Sequence, residues 1–206
     1  MIAKNKIFNF AKKIIKHSRS LSGNGVRKTL RDIKRVLPDL RIKNFRSGTK
    51  VYDWKVPLEW NVKDAYILTP KGKKICEFKK NNLHLVGYSI PINKILNKNK
   101  LVKKLHSLPK LSNAIPYVTS YYKKNWGFCI SHKEKKKLKV GKYRAYIDSS
   151  HMKGVLNYGE LFIKGKSNKE ILFSTYICHP EMANNETSGI SVLTYLAKWI
   201  NSKKIP

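Results

Sequence analysis

The stretch "FSTYICHPEMANNETSG", residues 173–189, holds the side chains with the most chemistry in the chain. An apolar run ends at Cys178, His179 and Pro180. Glu181, Asn184, Asn185, Glu186 and Thr187 follow, before a Ser-Gly step into an amphipathic segment. A histidine at the end of a buried strand lies where open α/β sheets deliver residues to a crevice at their carboxyl ends. The helix entered by the turn adds unpaired amide hydrogens and a positive dipole end, which favour oxygen and anionic groups. Three considerations limit this reading. A catalytic zinc takes three protein ligands, and one histidine with some side-chain oxygens falls short of that. Strand alternation sends Cys178 and His179 to opposite faces, which makes them poor co-ligands. Asn185 or Thr187 would also serve as an ordinary cap for the last helix.

The elements that position these residues follow from periodicity. "EILFSTYICHP" is long and β-branched enough for a strand buried on both faces, with Pro180 ending the ladder. Ile190, Leu193, Ala197 and Ile200 share one face of a final helix. At the other end, Ile2, Ile7, Phe10, Ala11, Ile14 and Ile15 predict a first helix within residues 2–18. Val26, Leu30, Ile33 and Leu37 predict a second, closed by Pro38. From Val51 the texture becomes β-rich, with runs at 51–60, 64–78 and 83–92 and a hairpin around Pro70-Lys71-Gly72. Ile95, Leu96, Val102 and Leu105 predict a return to helix over 93–111. Further strands are expected within 115–131, 143–149, 154–165 and 170–178. Helices, a β-rich middle, then strand and helix is the order of an α/β domain carrying an inserted module. The expected divisions are residues 1–50, the insertion at 51–155, and the return to the first domain at 156–206.

Bulk properties restrict the function classes. With 206 residues and 41% hydrophobic content, the chain can build a core and a small appended domain. No apolar run is long enough for a membrane span, and the N-terminus lacks the form of a signal peptide, so a cytoplasmic chain is expected. Cys76, Cys129 and Cys178 are odd in number and widely spaced, with no CxxC pair; reduced, mostly buried thiols are expected rather than a zinc ribbon or disulfide framework. The formal charge of +32 is carried mostly by lysines spread over every segment. Arginine, the usual fork to phosphate or guanine, is confined mainly to residues 19–46. That spread argues for non-specific binding to polyanions at low salt and against specific nucleic-acid recognition. His84, His132 and His151 are too scattered to form a metal site. Tyr117, Tyr121, Tyr122 and Trp126, interleaved with Lys123 and Lys124, are candidates for stacking on a sugar or a base, or for core packing. Asp53, Trp54, Glu59 and Trp60 suit either a cleft lining or packing.

"CHPEMANNETSG" resembles the metal-site stretch of the aminopeptidase-like domain proteins, relatives of the zinc aminopeptidases often labelled as polysaccharide-biosynthesis proteins. "SLSGNGVRKTL", "SGTKVYDWKVPLEW", "NLHLVGYSIPI", "IPYVTSYYKKNWGFC" and "YIDSSHMKGVLNYGE" extend the resemblance, in matching order, over nearly the whole chain. It implies an α/β fold: an incomplete three-layer α/β/α zinc-aminopeptidase-like domain with a β-rich insertion. It implies zinc as cofactor, a peptide or amide-like small substrate, and His179 as the first metal ligand. Asn185 falls where the two-zinc enzymes carry a bridging aspartate; an amide offers a carbonyl oxygen without charge. Glu181 stands where an aspartate supports the histidine ligand, and Glu186 is a second supporting carboxylate. The general base and remaining ligands are expected beyond Pro206, so the chain is expected to be the N-terminal part of a hydrolase. The alternative is an inactive remnant or a glycan- or polyanion-binding module.

Overall fold

A computed structural model of the protein describes residues 2–203 and is a mixture of helices and sheets in two compact units. The first comprises residues up to Glu59 and from Lys153 onward; the second is the continuous stretch Trp60–Met152.

In the first unit, helix α1 (Ile2–Ile14) and helix α2 (Asn24–Val36) follow the apolar spacing closely. Phe10 and Ile14 of α1 are buried with Val26, Leu30, Ile33 and Leu37 of the α2 stripe, and Ile190 joins them from α5 (Ser188–Lys203). The side chain of Ile2, also part of the sequence pattern, lies outside the described residues. Each fully buried aliphatic side chain stabilises the unit by about 1.5–3 kcal/mol, so this three-helix cluster is its main cohesive element. Tyr195 of α5 meets Phe10 edge-on at 5.9 Å between ring centroids. Strand β1 (Arg41–Arg46) pairs antiparallel with β10 (Val155–Glu160), from Arg41 opposite Glu160 to Arg46 opposite Val155. The short strands β2 (Lys50–Val51) and β3 (Trp54–Lys55) form a separate two-stranded ladder.

The second unit is built on a four-stranded sheet. It is ordered β5 (Lys74–Ile75), β4 (Glu59–Leu68), β9 (Lys142–Met152), β6 (Ile92–Asn97). The hairpin expected around Pro70-Lys71-Gly72 is present, pairing Ile67 with Ile75. Along β9, Tyr143, Ala145, Ile147 and Ser149 are buried alternately, the period-two pattern of a strand with one covered face. A parallel pair of two-residue strands, β7 (Leu105–His106) and β8 (Phe128–Cys129), and the helices α3 (Lys98–Val102) and α4 (His132–Lys136) complete it.

Three stretches differ from their sequence expectation. Residues 93–111 are not a helix: Ile92–Asn97 pairs with Lys142–Ile147 as β6, and only Lys98–Val102 is α-helical. Ile95 is 68% exposed whereas Leu105 is buried, so the positions read as one helical stripe share no common face, and strand pairing overrode local preference. The expected strands within 83–92 and 115–131 shrink to Phe128–Cys129 and isolated bridges, Leu85 with Phe128 and Gly87 with Thr119. The third difference is the largest. Residues 170–178 form no strand; Ile171 and Leu172 are 84% and 88% exposed. An all-apolar strand is stable only between neighbours that satisfy its amides and cover both faces, and no described segment pairs with this one. Among the described residues no helix is long and apolar enough to cross a membrane.

Candidate metal centre

The site is organised by a buried ion pair that the sequence reading did not single out. Arg19 lies just beyond α1, and neither its side chain nor that of Glu186 has any solvent exposure. The Arg19 guanidinium donates to Glu186 Oε2 at 3.3 Å through Nε and to Thr187 Oγ1 at 3.0 Å through Nη2. It also donates to the carbonyl oxygens of His179, at 2.9 Å, and Ile14. Glu186 in turn accepts from the backbone N–H of Cys178 and, at 2.7 Å, from that of His179. One side chain thus ties together the end of α1, the Cys178-His179 step and the entry to α5. A planar fork with several donors is what such a junction requires, and lysine would not supply it. Arg19 is the one buried arginine of seven, so composition gave no signal for it.

The entry to α5 is itself unusual. Ala183–Thr187 forms a π-turn, with the Thr187 amide donating to the Met182 carbonyl at 3.0 Å, before α5 continues as a regular helix. Single π-turns of this kind often mark functional positions. Glu181 just before it has φ +46°, a left-handed conformation that non-glycine residues rarely hold. Because the helical turn begins before them, neither Asn185 nor Thr187 acts as its cap. Asn185 Oδ1 accepts from the Tyr176 hydroxyl at 3.3 Å, and Thr187 Oγ1 serves Arg19.

His179 is half-buried, and its ring meets Tyr176 edge-on at 5.3 Å between centroids. Tyr176 therefore links His179 to Asn185, a role that strict strand alternation could not indicate. Burial, and then the cation of Arg19, hold the imidazole below its ordinary pKa, which keeps it neutral with a lone pair to offer. Burial pushes the Glu186 carboxyl up against the pull of Arg19 and the two amides. It also raises Glu181 against Arg19 and Lys16, and drives the Cys178 thiol to about 11. The expectation that Cys178 and His179 face apart is corrected here. The segment is not pleated, and Cys178 Sγ lies 3.8 Å from His179 Nδ1. Cys178, His179 and Glu186 each place a ligand atom within 4.8 Å of the others. By type, these donors suit a zinc-like ion.

The other candidates lie elsewhere. Trp126 is buried, with Lys104 Nζ 5.3 Å from its ring centre. Tyr121 bonds the Tyr117 hydroxyl at 2.6 Å and packs edge-on against both Tyr88 and the exposed Tyr122. Glu59 holds Arg27 by two bonds of 2.6 and 2.8 Å, and Trp60 donates to the Ser89 carbonyl; both pack rather than line a cleft. His84 bonds the Cys129 carbonyl and His132 the Ser107 hydroxyl, while His151 lies against the Tyr88 ring. Cys76 and Cys129 are buried free thiols and Cys178 is half-buried.

Comparison with known proteins agrees with the sequence motifs. Residues 59–150 match the domain of unknown function DUF2172. Over 97% of its length the chain is 45% identical to a Clostridium acetobutylicum protein named for polysaccharide biosynthesis and an aminopeptidase-like domain; the match covers 46% of that protein. A crystal structure of a Clostridium acetobutylicum protein named as a peptidase superposes with a TM-score of 0.93 at 44% identity, covering 96% of this chain and 47% of that one. An aminopeptidase from an Aneurinibacillus strain matches at a TM-score of 0.38 and 10% identity, covering 96% of this chain and 59% of its own, too distant to carry an argument. The chain spans about half the length of the first two.

Proposed function

We propose that this chain, a homologue of the polysaccharide-biosynthesis proteins with an aminopeptidase-like domain, is the N-terminal portion of a zinc-dependent aminopeptidase-like hydrolase. The observation that carries the proposal is the clamp of Arg19 and Glu186. Two buried charges are committed to fixing one turn, and that turn presents a neutral half-buried histidine beside the head of a helix. Zinc, when bound, would polarise the scissile carbonyl of a peptide or amide-like substrate and acidify a water.

The chain's own residues do the positioning. His179 offers its imidazole lone pair, Asn185 an uncharged carbonyl oxygen steered by Tyr176, and Glu186 holds the backbone beneath them. Glu181 follows His179 by two residues and acts as a supporting carboxylate. The general base and remaining ligands would come from the portion of the relatives' length that this chain does not span. The extended apolar run 170–178 supports the same reading, because a buried sheet strand needs neighbours that the described residues do not contain.

The test is metal content. Protein loaded with zinc and passed through a desalting column should retain the metal, and the His179→Ala variant should lose it while keeping its helical circular dichroism. Equal retention by both would remove His179 from the site. The exposed Tyr122 against Tyr121 favours a second, smaller role, stacking of a glycan on the Trp60–Met152 unit.

A further inference from the structure

We infer that Cys178 is a metal ligand beside His179, so that the ion is held by a sulfur–nitrogen pair from consecutive residues. This rests on the proposed metal-dependent reading of the same site and specifies its donor chemistry.

The geometry originates in Glu186. Its carboxylate receives the backbone N–H of both Cys178 and His179. Successive amides in a pleated strand point to opposite edges, so two converging on one carboxylate require the chain to curl. The curl cancels the alternation that would have separated the two side chains, and Sγ comes to 3.8 Å from Nδ1. A tetrahedral ion with sulfur and imidazole ligands at their usual bond lengths sets those two atoms about 3.5 Å apart. The pair is therefore almost preformed, and a small side-chain rotation closes the difference.

Glu186 is the third acidic or soft group of the cluster, but both its oxygens are engaged by amides and Arg19, and it is fully buried. It shapes the pair rather than joining it. Charge points the same way. Asn185 supplies no negative charge, and Arg19 neutralises Glu186. A thiolate would restore one negative charge beside the metal. On binding, the Cys178 sulfur donates an electron pair to the ion and its proton passes to solvent. A soft sulfur donor selects zinc or cobalt over magnesium, calcium or manganese.

Cobalt(II) titration of the purified protein tests this directly, because cobalt reports its ligands by colour. The wild type should show visible d–d absorption together with a near-ultraviolet sulfur-to-cobalt charge-transfer band. Cys178→Ser, close in shape to cysteine, should lose that band, keep weaker d–d absorption and bind cobalt at least about tenfold less tightly. His179→Ala should lose both signals. Wild-type d–d absorption without the charge-transfer band would overturn the sulfur ligand while leaving the His179 reading in place. A band that persists in Cys178→Ser would assign it to another thiol and overturn the inference too. Failure of the wild type to take up cobalt would overturn both readings together.

Discussion

Replacing Arg19 by Met keeps most of the side-chain length and removes the charge. Glu186 would then stand as a carboxylate with no exposure and no cation, retaining only the two amides of Cys178 and His179. Removing one partner from a buried pair costs about 3–5 kcal/mol, because the remaining charge loses its compensation. The acceptors at Ile14, His179 and Thr187 lose their donor as well. The expected loss for Arg19→Met is therefore about 4 kcal/mol, a large part of the stability of a typical domain. Urea denaturation followed by circular dichroism measures it. Hydrogen exchange at the amides of Cys178 and His179 locates it, since these should lose protection first. Glu186→Gln should cost a similar amount, because its amide group turns a donor toward one of two N–H groups or toward the guanidinium. In the cycle with both substitutions, the two losses should fall short of adding by at least about 1 kcal/mol. A loss below about 1 kcal/mol for Arg19→Met, with unchanged exchange at residues 178 and 179, would refute the idea that this pair organises the turn.

Two further outcomes follow from buried and exposed extremes. Burial, with help from Lys28, Arg19 and Lys13 and against Asp32, lowers the pKa of His17 to about 4. The folded state thus prefers the neutral ring. Its contribution is fully present above pH 6.5 and is lost as pH falls through about 4, worth about 3 kcal/mol over that window. Unfolding free energy measured from pH 7 to pH 4 should fall accordingly, and a His17→Gln variant should flatten that slope; parallel curves would contradict it. Leu172 is 88% exposed, so Leu172→Lys should change stability by less than about 0.5 kcal/mol and reduce self-association in light scattering. A loss above about 2 kcal/mol would mean the run is packed in solution.

How much the sequence foretold depends on the range of the forces involved. The α2 stripe of Val26, Leu30, Ile33 and Leu37 was legible because a helix face repeats locally, and all four side chains are buried as expected. The hairpin at Pro70-Lys71-Gly72 was legible for a similar reason, since turn chemistry is local. Residues 93–97 misled because Ile95 and Leu96 share helical spacing with Val102 and Leu105, and only pairing with β9, some fifty residues away, makes them a strand. At the site, His179 stood out by type. Arg19 did not, because its partner Glu186 is separated from it by 167 residues. Tyr176 was hidden by an assumption of pleating that fails where Glu186 gathers two consecutive amides.

The places where the second unit leaves and rejoins the first are held side by side. Glu59, the last residue before it, accepts the Val155 amide at 2.8 Å and grips Arg27 of α2, while a Cβ on Gly154 would fall 2.4 Å from the same carboxylate. A segment whose two ends meet at one anchored point can be gained or lost in a single genetic event without reopening its host, since the gap left behind is no wider than a reverse turn. Residues 60–152 form a compact unit between these two ends, and the stretch matching DUF2172, residues 59–150, coincides with it almost residue for residue.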